Sequence, residues 1–220
     1  MSRIENEVLN YESKYEKGGV LDNKLGIEND SSLNKAERMI TSFKLAKLYL
    51  NPGKQSFDIE HYLSIHKFLF EDIYPFAGEI RDENISKSIP FCRPEFIAQE
   101  LKRVLKIAMK LVPTITSREK FLKYVTELYS DLDVIHPFRE GNGRTEREFM
   151  RQLIDYICQK NNLEPYNLDY SAIKDRDKYI DAVVKADAYL DYTDLMLLFD
   201  EILIIKEENL ELEQASGLKR

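Results

Sequence analysis

Between His136 and Met150 the chain reads HPFREGNGRTEREFM. Gly141 and Gly143 bracket Asn142, between one apolar helical stripe and the next. A glycine-bracketed turn at a helix start leaves several backbone N–H groups unpaired and pointing the same way. Those donors and the helix dipole together favour an anion. Arg144, Arg147 and Arg151 follow at spacings of three and four, which places them on one helix face. Positive side chains in the first turns oppose the helix dipole. A polyphosphate relieves that cost, and the guanidinium fork matches its oxygens. Glu140 beside such a site is repulsive unless a divalent cation joins it to the phosphates, and magnesium takes one or two carboxylates plus phosphate oxygens. His136 precedes the glycine turn by five residues, and a neutral imidazole there can take a proton from an attacking hydroxyl.

Each residue alone has a plainer reading. A histidine at a helix end caps or packs, and arginines at helical spacing are usually a solvated face. Their concentration within twelve residues favours the phosphate site. Two other phosphate signatures are missing: there is no GxxxxGK[ST], and GNGRTE lacks the third glycine of a dinucleotide fingerprint.

The elements that must position these residues are mostly helical. The spacing predicts a helix over Asn34 to Leu50, stopped by Asn51-Pro52-Gly53. A second runs from Ser56 as N-cap, with Asp58 and Glu60 in its first turn. Tyr74 to Pro94 breaks the period with three prolines and a glycine, and reads as a loop with a small hairpin. Apolar stripes return from Ile97 to Leu111, then from Phe121 to Ile135, the latter capped near Ser117. The helix after the glycine turn carries Met150, Leu153, Ile154 and Ile157 on one face, and two more fit Ser171 to Lys185 and Asp191 to Ile205. The expectation is one mainly α domain over 1–220, its helical core about 25–205 and its hairpin about 84–93. Residues 1–24 and 206–220 are expected to be peripheral.

Composition narrows the partners. Of 220 residues, 43% are apolar, which suits a globular chain. The net charge of -7 disfavours general nucleic-acid binding and an acidic membrane surface. Cys92 and Cys158 have no metal-like spacing and read as free buried thiols of a reducing compartment. No apolar leader opens the sequence and no run is long enough to span a membrane, which points to the cytoplasm. Delivery into another cell by a specialised secretion system needs no such leader.

HPFREGNGRTER, His136 to Arg147, resembles the Fic-family signature HPFx[D/E]GNGRxxR at every specified position. Upstream, IHKFLFEDIYPFAGEIRDENISK is similar to the family's IHxxLF helix and FAGxxR approach to its flap. The resemblance implies a Fic-type helical bundle with a β-hairpin flap. It implies transfer of AMP from ATP to a Ser, Thr or Tyr hydroxyl of a target protein. His136 would be the base and Glu140 would hold Mg2+. Gly141, Asn142 and Gly143 would form the anion hole, with Asn142 touching the α-phosphate. Arg144 and Arg147 would contact the β- and γ-phosphates, and Phe138 would anchor the loop. The flap edge at Ser86, Lys87, Ser88 and Ile89 would register an extended target segment by strand addition, although Pro90 removes one donor from that edge. Tyr179 and Asp187 would lie near the base or the ribose.

Many relatives of this kind carry a brake, [S/T]xxxE[G/N], whose Glu pairs with the second motif arginine, here Arg147. Ser56 and Glu60 fit the spacing but read as a helix start, and Glu37 stands five residues after Ser32, one too many. The expectation is a chain without its own brake, or one restrained by a separate small antitoxin, in which Glu37→Gly leaves activity nearly unchanged. Two alternatives stay open. The donor is another nucleotide or phosphate-linked group (UMP, GMP), or the chain is a non-catalytic nucleotide-binding toxin–antitoxin component. The phosphotransferase branch of the family is disfavoured, because its motif lacks the glycines found at Gly141 and Gly143. Oligomeric state is not legible.

Overall fold

The computed structural model of the chain describes residues 13–206. Seven α-helices make up most of them: α1 (Asp30–Leu50), α2 (Ile59–Phe70), α3 (Pro94–Leu111), α4 (Arg118–Ile135), α5 (Asn142–Asn161), α6 (Arg176–Tyr189) and α7 (Thr193–Ile202). Two short antiparallel pairs accompany them: β1 (Glu16–Lys17) with β2 (Val20–Leu21), and β3 (Tyr166–Leu168) with β4 (Leu203–Ile205).

Helix ends follow their capping chemistry. α1 starts four residues before the expected Asn34, because the Asn29 side chain accepts from the Ser32 N–H at 2.9 Å. α2 is capped by Asp58 rather than Ser56. The Asp58 carboxylate accepts from the His61 N–H at 2.9 Å, and the Ser56 hydroxyl donates to that carboxylate at 2.7 Å. α4 is capped by Ser117, as expected. The helix expected from Ser171 begins only at Arg176, where Asp175 accepts from the N–H groups of Asp177 and Lys178. Ser171 lies in a 3-10 turn. The helix expected to reach Ile205 stops at Ile202, since Leu203 to Ile205 pair with Leu168 to Tyr166.

α4 and α5 form the centre. α2 packs on α5 with α1 outside it, and α3, α6 and α7 pack on α4. Phe121, Phe149 and Phe199, on three of these helices, are wholly excluded from solvent. Each contributes about 2–3 kcal/mol of apolar burial. Residues 13–24, expected at the periphery, are anchored to the core at two points, although their other side chains are exposed or half-buried. Tyr15 and Val20 join the core, the Tyr15 hydroxyl donates to Asp82 at 3.0 Å and Ser13 donates to Glu83 at 2.7 Å. Residues 1–12 and 207–220 of the expected domain lie outside the described residues. Cys158 is buried and Cys92 half-buried, and neither is in a disulfide. Among the described residues no helix is long and apolar enough to cross a membrane.

Candidate active site

α4 ends at His136, whose backbone is left-handed (φ +43°, ψ 63°) while its N–H still bonds to the Leu132 carbonyl at 3.2 Å. That reversal throws the chain into a six-residue loop before α5. Four side chains hold the loop. Phe138 is fully buried and stacks on the His66 ring at 3.7 Å. The Asn142 amide closes the turn on itself: Oδ1 accepts from the Phe138 N–H at 2.8 Å and Nδ2 donates to the Phe138 carbonyl at 2.7 Å. His66 Nδ1 accepts from the Gly78 N–H at 2.8 Å, so its Nε2 carries the hydrogen and donates to the Glu140 carbonyl at 2.9 Å. Burial pushes the His66 pKa down to about 4, keeping the ring neutral. Arg81, 1% exposed, donates to the carbonyls of His136 (2.8 Å), Cys92 (2.6 Å) and Glu83 (2.6 Å). A guanidinium satisfied wholly by carbonyls ties the loop after His136 to the base of the flap.

The start of α5 is open to an anion. Gly141 is its N-cap, with φ +83°, and no side chain caps the first turn. A Cβ at Gly141 would meet the Phe70 ring at 2.4 Å, so only glycine fits both the backbone and the space. The Asn142 side chain is committed to Phe138, and what it leaves for an anion is its backbone N–H, beside that of Gly143.

The arginines are not equivalent. Arg144 Nη2 stands 2.6 Å from Glu37 Oε1 of α1 and 3.5 Å from Glu140 Oε1, and the guanidinium lies over Phe70. Arg147 has no carboxylate partner among the described residues. It folds back over Gly143, where an added Cβ would come within 3.1 Å of its Nη1, and it borders the Tyr170 ring. Arg151 is bound by Glu148 at 2.7 Å and Asp155 at 3.1 Å, and does not join the anion site.

His136 is 7% exposed, with Phe91 stacked on its ring at 3.8 Å. Its Nδ1 faces two acceptors of Asp133, the main-chain carbonyl at 3.2 Å and the carboxylate at 3.4 Å. The imidazole borders two cavities that share Lys87, Phe91, His136 and Gly143. One, about 310 Å³, extends to Arg147, Tyr179 and Asp187; the other, about 180 Å³, extends to Glu140 and Asn142. His136, the glycine turn and Arg147 therefore meet in one hollow.

Glu140 lines the smaller cavity. Both hydrogen bonds to its side chain, from Gly141 N–H (2.9 Å) and Arg144 (3.5 Å), use Oε1. A single half-exposed carboxylate fits a cation whose remaining ligands are phosphate oxygens and water. The described residues hold no cluster of three or more metal-ligating side chains that would cage a metal alone.

The flap is slighter than a hairpin with two strands. Ser86 and Pro90 form one antiparallel bridge, and the Lys87 N–H bonds to the Ile89 carbonyl at 3.1 Å. Lys87, Ser88 and Ile89 roof the larger cavity, while Ser86 lines the smaller one. Glu37, His66, Arg81 and Asp133 were not identified in the sequence as site residues. Glu37, set aside there on spacing, is the partner of Arg144. His66 and Arg81 occupy specified positions of the IHxxLF and FAGxxR blocks, which mark them without showing what they hold, and Asp133 sits in a stretch that reads only as helix; three of the four are buried charged or polar residues whose role is set by long-range contacts.

Sequence and structure comparisons agree on one lineage. The Fic/DOC family profile matches residues 56–154. A probable protein adenylyltransferase, y4lH of Sinorhizobium fredii, is 31% identical over 170 residues, covering 76% of this chain and 83% of that protein. The protein adenylyltransferase VbhT of Bartonella schoenbuchensis is 36% identical over 142 residues, covering 61% of this chain and 29% of VbhT. Among solved structures, the N-terminal Fic domain of a VirB-translocated Bep effector from Bartonella quintana, with bound ADP, superposes with a TM-score of 0.72. It is 26% identical and covers 85% of this chain and 92% of that one. The mainly helical fold, the loop that follows His136 and these relatives place the chain in the Fic/DOC family.

Proposed function

We propose that the chain is a protein adenylyltransferase, which transfers AMP from ATP to a Ser, Thr or Tyr hydroxyl of a target protein and releases pyrophosphate. The observation that carries this is the single hollow shared by the His136 imidazole, the uncapped start of α5 and the Arg147 guanidinium. A base and an anion site 20 Å apart would bind a nucleotide without using it; here they face the same space. The named relatives with this activity and the ADP-bound structure supply the chemical class of the donor.

In this reading the backbone N–H groups of Asn142 and Gly143 hold the α-phosphate, and Arg144 and Arg147 neutralise the β- and γ-phosphates. His136 Nε2 takes the proton of the target hydroxyl. The hydroxyl oxygen forms a bond to the α-phosphorus as the bond from that phosphorus to the β-bridging oxygen breaks, and pyrophosphate leaves. Glu140 would hold Mg2+, which when bound neutralises charge developing on the departing pyrophosphate. The flap at Ser86 to Ile89 holds the target segment over His136. With thirteen tyrosines in the chain, self-modification is part of the expected behaviour.

In this reading any restraint comes from a separate small antitoxin that reaches Arg147, or the chain has none. We assign the reaction to the cytoplasm of the producing cell or of a cell that receives the protein.

Incubation with α-labelled ATP and, separately, α-labelled UTP decides the reading. Label transferred to protein from ATP, and lost in His136→Ala, supports it. Preference for UTP changes the donor. Equal labelling by His136→Ala refutes the base, and retention of nucleotide without transfer by the wild type refutes the enzyme.

A further inference from the structure

Behind the His136 ring lies a group of acids that the reaction above does not use. Asp133 of α4 presents both its carbonyl and its carboxylate to Nδ1. Asp187 of α6 lines the same cavity as Asp133 and His136, and Ser130 Oγ donates to Asp187 Oδ1 at 2.6 Å. Two ionised carboxylates lining one cavity repel each other, which favours a proton on one of them.

We propose that Asp133 is a positioning residue for His136 and that Asp187 is its uncharged neighbour: ionised Asp133 fixes the hydrogen on Nδ1, and Asp187, held by Ser130, adds no second charge beside it. The proposal rests on His136 being the base of the reaction proposed above. An imidazole with acceptors only at Nδ1 must carry its hydrogen there. Nε2 is then the free lone pair, available for a proton from the target hydroxyl. When that proton arrives, the Asp133 carboxylate is in contact with the imidazolium. Oxygen and nitrogen bonds are unchanged in this device; only the proton's location is governed.

The titration pattern is consistent with the geometry. Burial raises the Asp133 carboxyl, but its hydrogen bond and charge interaction with His136 outweigh that and leave it below the usual range. Burial, and then the charge of Asp133, push Asp187 up to about 8, against the opposing hydrogen bond from Ser130. Other groups face this pair from each neighbouring element. α4 adds Tyr129 and the exposed Asp131, and the flap adds Lys87. α5 adds Arg147 and Glu146, the latter fully buried and kept neutral by burial. α6 adds Tyr179, which burial pushes up to about 12, and Tyr192 stands before α7. None of the tyrosines or Glu146 brings a negative charge at neutral pH that would replace that of Asp133.

The chain's three histidines make a direct test. His61 Nδ1 accepts from the Phe57 N–H at 3.3 Å and its Nε2 faces Gln152 Oε1 at 3.1 Å, so His61, like His66, carries its hydrogen on Nε2. Ring 15N–1H correlation spectra of the full-length protein should therefore show two Nε2–H rings and one Nδ1–H ring, His136. Its signals should inflect at about pH 8 as Asp187 ionises, and Asp187→Asn should abolish that inflection. Asp133→Asn should weaken the Nδ1–H preference and, in ATP labelling, lower kcat by about tenfold or more while KM for ATP stays within about twofold. His61 and His66 signals report that the fold is intact. Should Asp133→Asn not fold, the wild-type tautomer and Asp187→Asn still decide. Nε2–H on wild-type His136, an inflection that survives Asp187→Asn, or a folded Asp133→Asn with unchanged kcat overturns the proposal. Rings that behave as expected, with no nucleotide transfer by any form, support the positioning and overturn the transferase reading instead.

Discussion

Glu37, midway along the first half of α1, meets Arg144 of α5 at 2.6 Å, and its other carboxylate oxygen accepts from the Tyr74 hydroxyl. Glu37 is 4% exposed, so the pair is a buried one. It joins α1 to the helix that begins at the proposed anion site. Burial and this hydrogen bond hold the Tyr74 phenol well above its usual range, so it remains a donor.

The pair bears on restraint. Glu37 occupies Arg144, whereas the brake of related proteins occupies the position of Arg147. Glu37→Gly is therefore expected to give no gain in ATP labelling. Glu37→Gln, which keeps the shape but not the charge, should lower unfolding free energy by about 1–3 kcal/mol in urea titration, because Arg144 and Tyr74 lose their main partner. Strong activation by Glu37→Gly would make Glu37 a brake after all.

Gly141 is the tightest point of the loop. Alanine there carries both the positive φ and the contact with Phe70 at 2.4 Å. Gly141→Ala should cost about 2–4 kcal/mol in stability and abolish most labelling. Adding Phe70→Leu removes the collision but not the backbone strain. The double variant should therefore recover only part of the lost stability, and full recovery would show that φ is immaterial.

The motif and its helices were legible because they are local. His136 to Arg147 concentrates its chemistry in one turn and one helix start, and the stripes of α4 and α5 obey one period. What was not legible depends on distant partners. Ser56 looked like a cap, but Asp58 stands closer to the free N–H groups and takes the Ser56 hydroxyl as well. Leu203 to Ile205 continue a helical pattern, yet their register with Tyr166 to Leu168 ends α7 early. Arg81 is visible in the sequence only as the arginine of FAGxxR; what it binds are carbonyls 2, 11 and 55 residues away in sequence.

His66 makes the fold sensitive to acid. Its folded pKa of about 4 lies below the ordinary imidazole value. Its contribution is fully present above about pH 6.5, and falls as pH drops and the unfolded chain takes up a proton that the buried ring refuses. The loss is complete below about pH 4 and amounts to an order of 3 kcal/mol. Asp187 works in the opposite sense, since its raised pKa erodes stability as pH climbs from about 4 to about 8. Total stability hides the histidine, and the comparison between variants isolates it. His66→Gln should be less stable than wild type at pH 7, and the gap should narrow by about 1–2 kcal/mol at pH 5. A gap that is independent of pH would mean that His66 takes up its proton as readily in the folded protein as in the unfolded chain.

Arg144 and Arg147 offer the last contrast. Both stand on one face of α5, but only Arg144 has ion-pair partners among the described residues. Arg147 has Tyr170 beneath it, a contact worth about 0.5–1 kcal/mol. Arg147→Ala should therefore leave urea stability within about 1 kcal/mol of wild type, while ATP labelling falls by about tenfold or more. Arg144→Ala should lose both activity and stability, the latter by about 1–3 kcal/mol, because it strands the Glu37 carboxylate in the core. Arg144→Ala combined with Glu37→Gln should regain stability without regaining labelling. An Arg147→Ala protein that unfolds as readily as Arg144→Ala would make Arg147 a structural residue and remove it from the phosphate site.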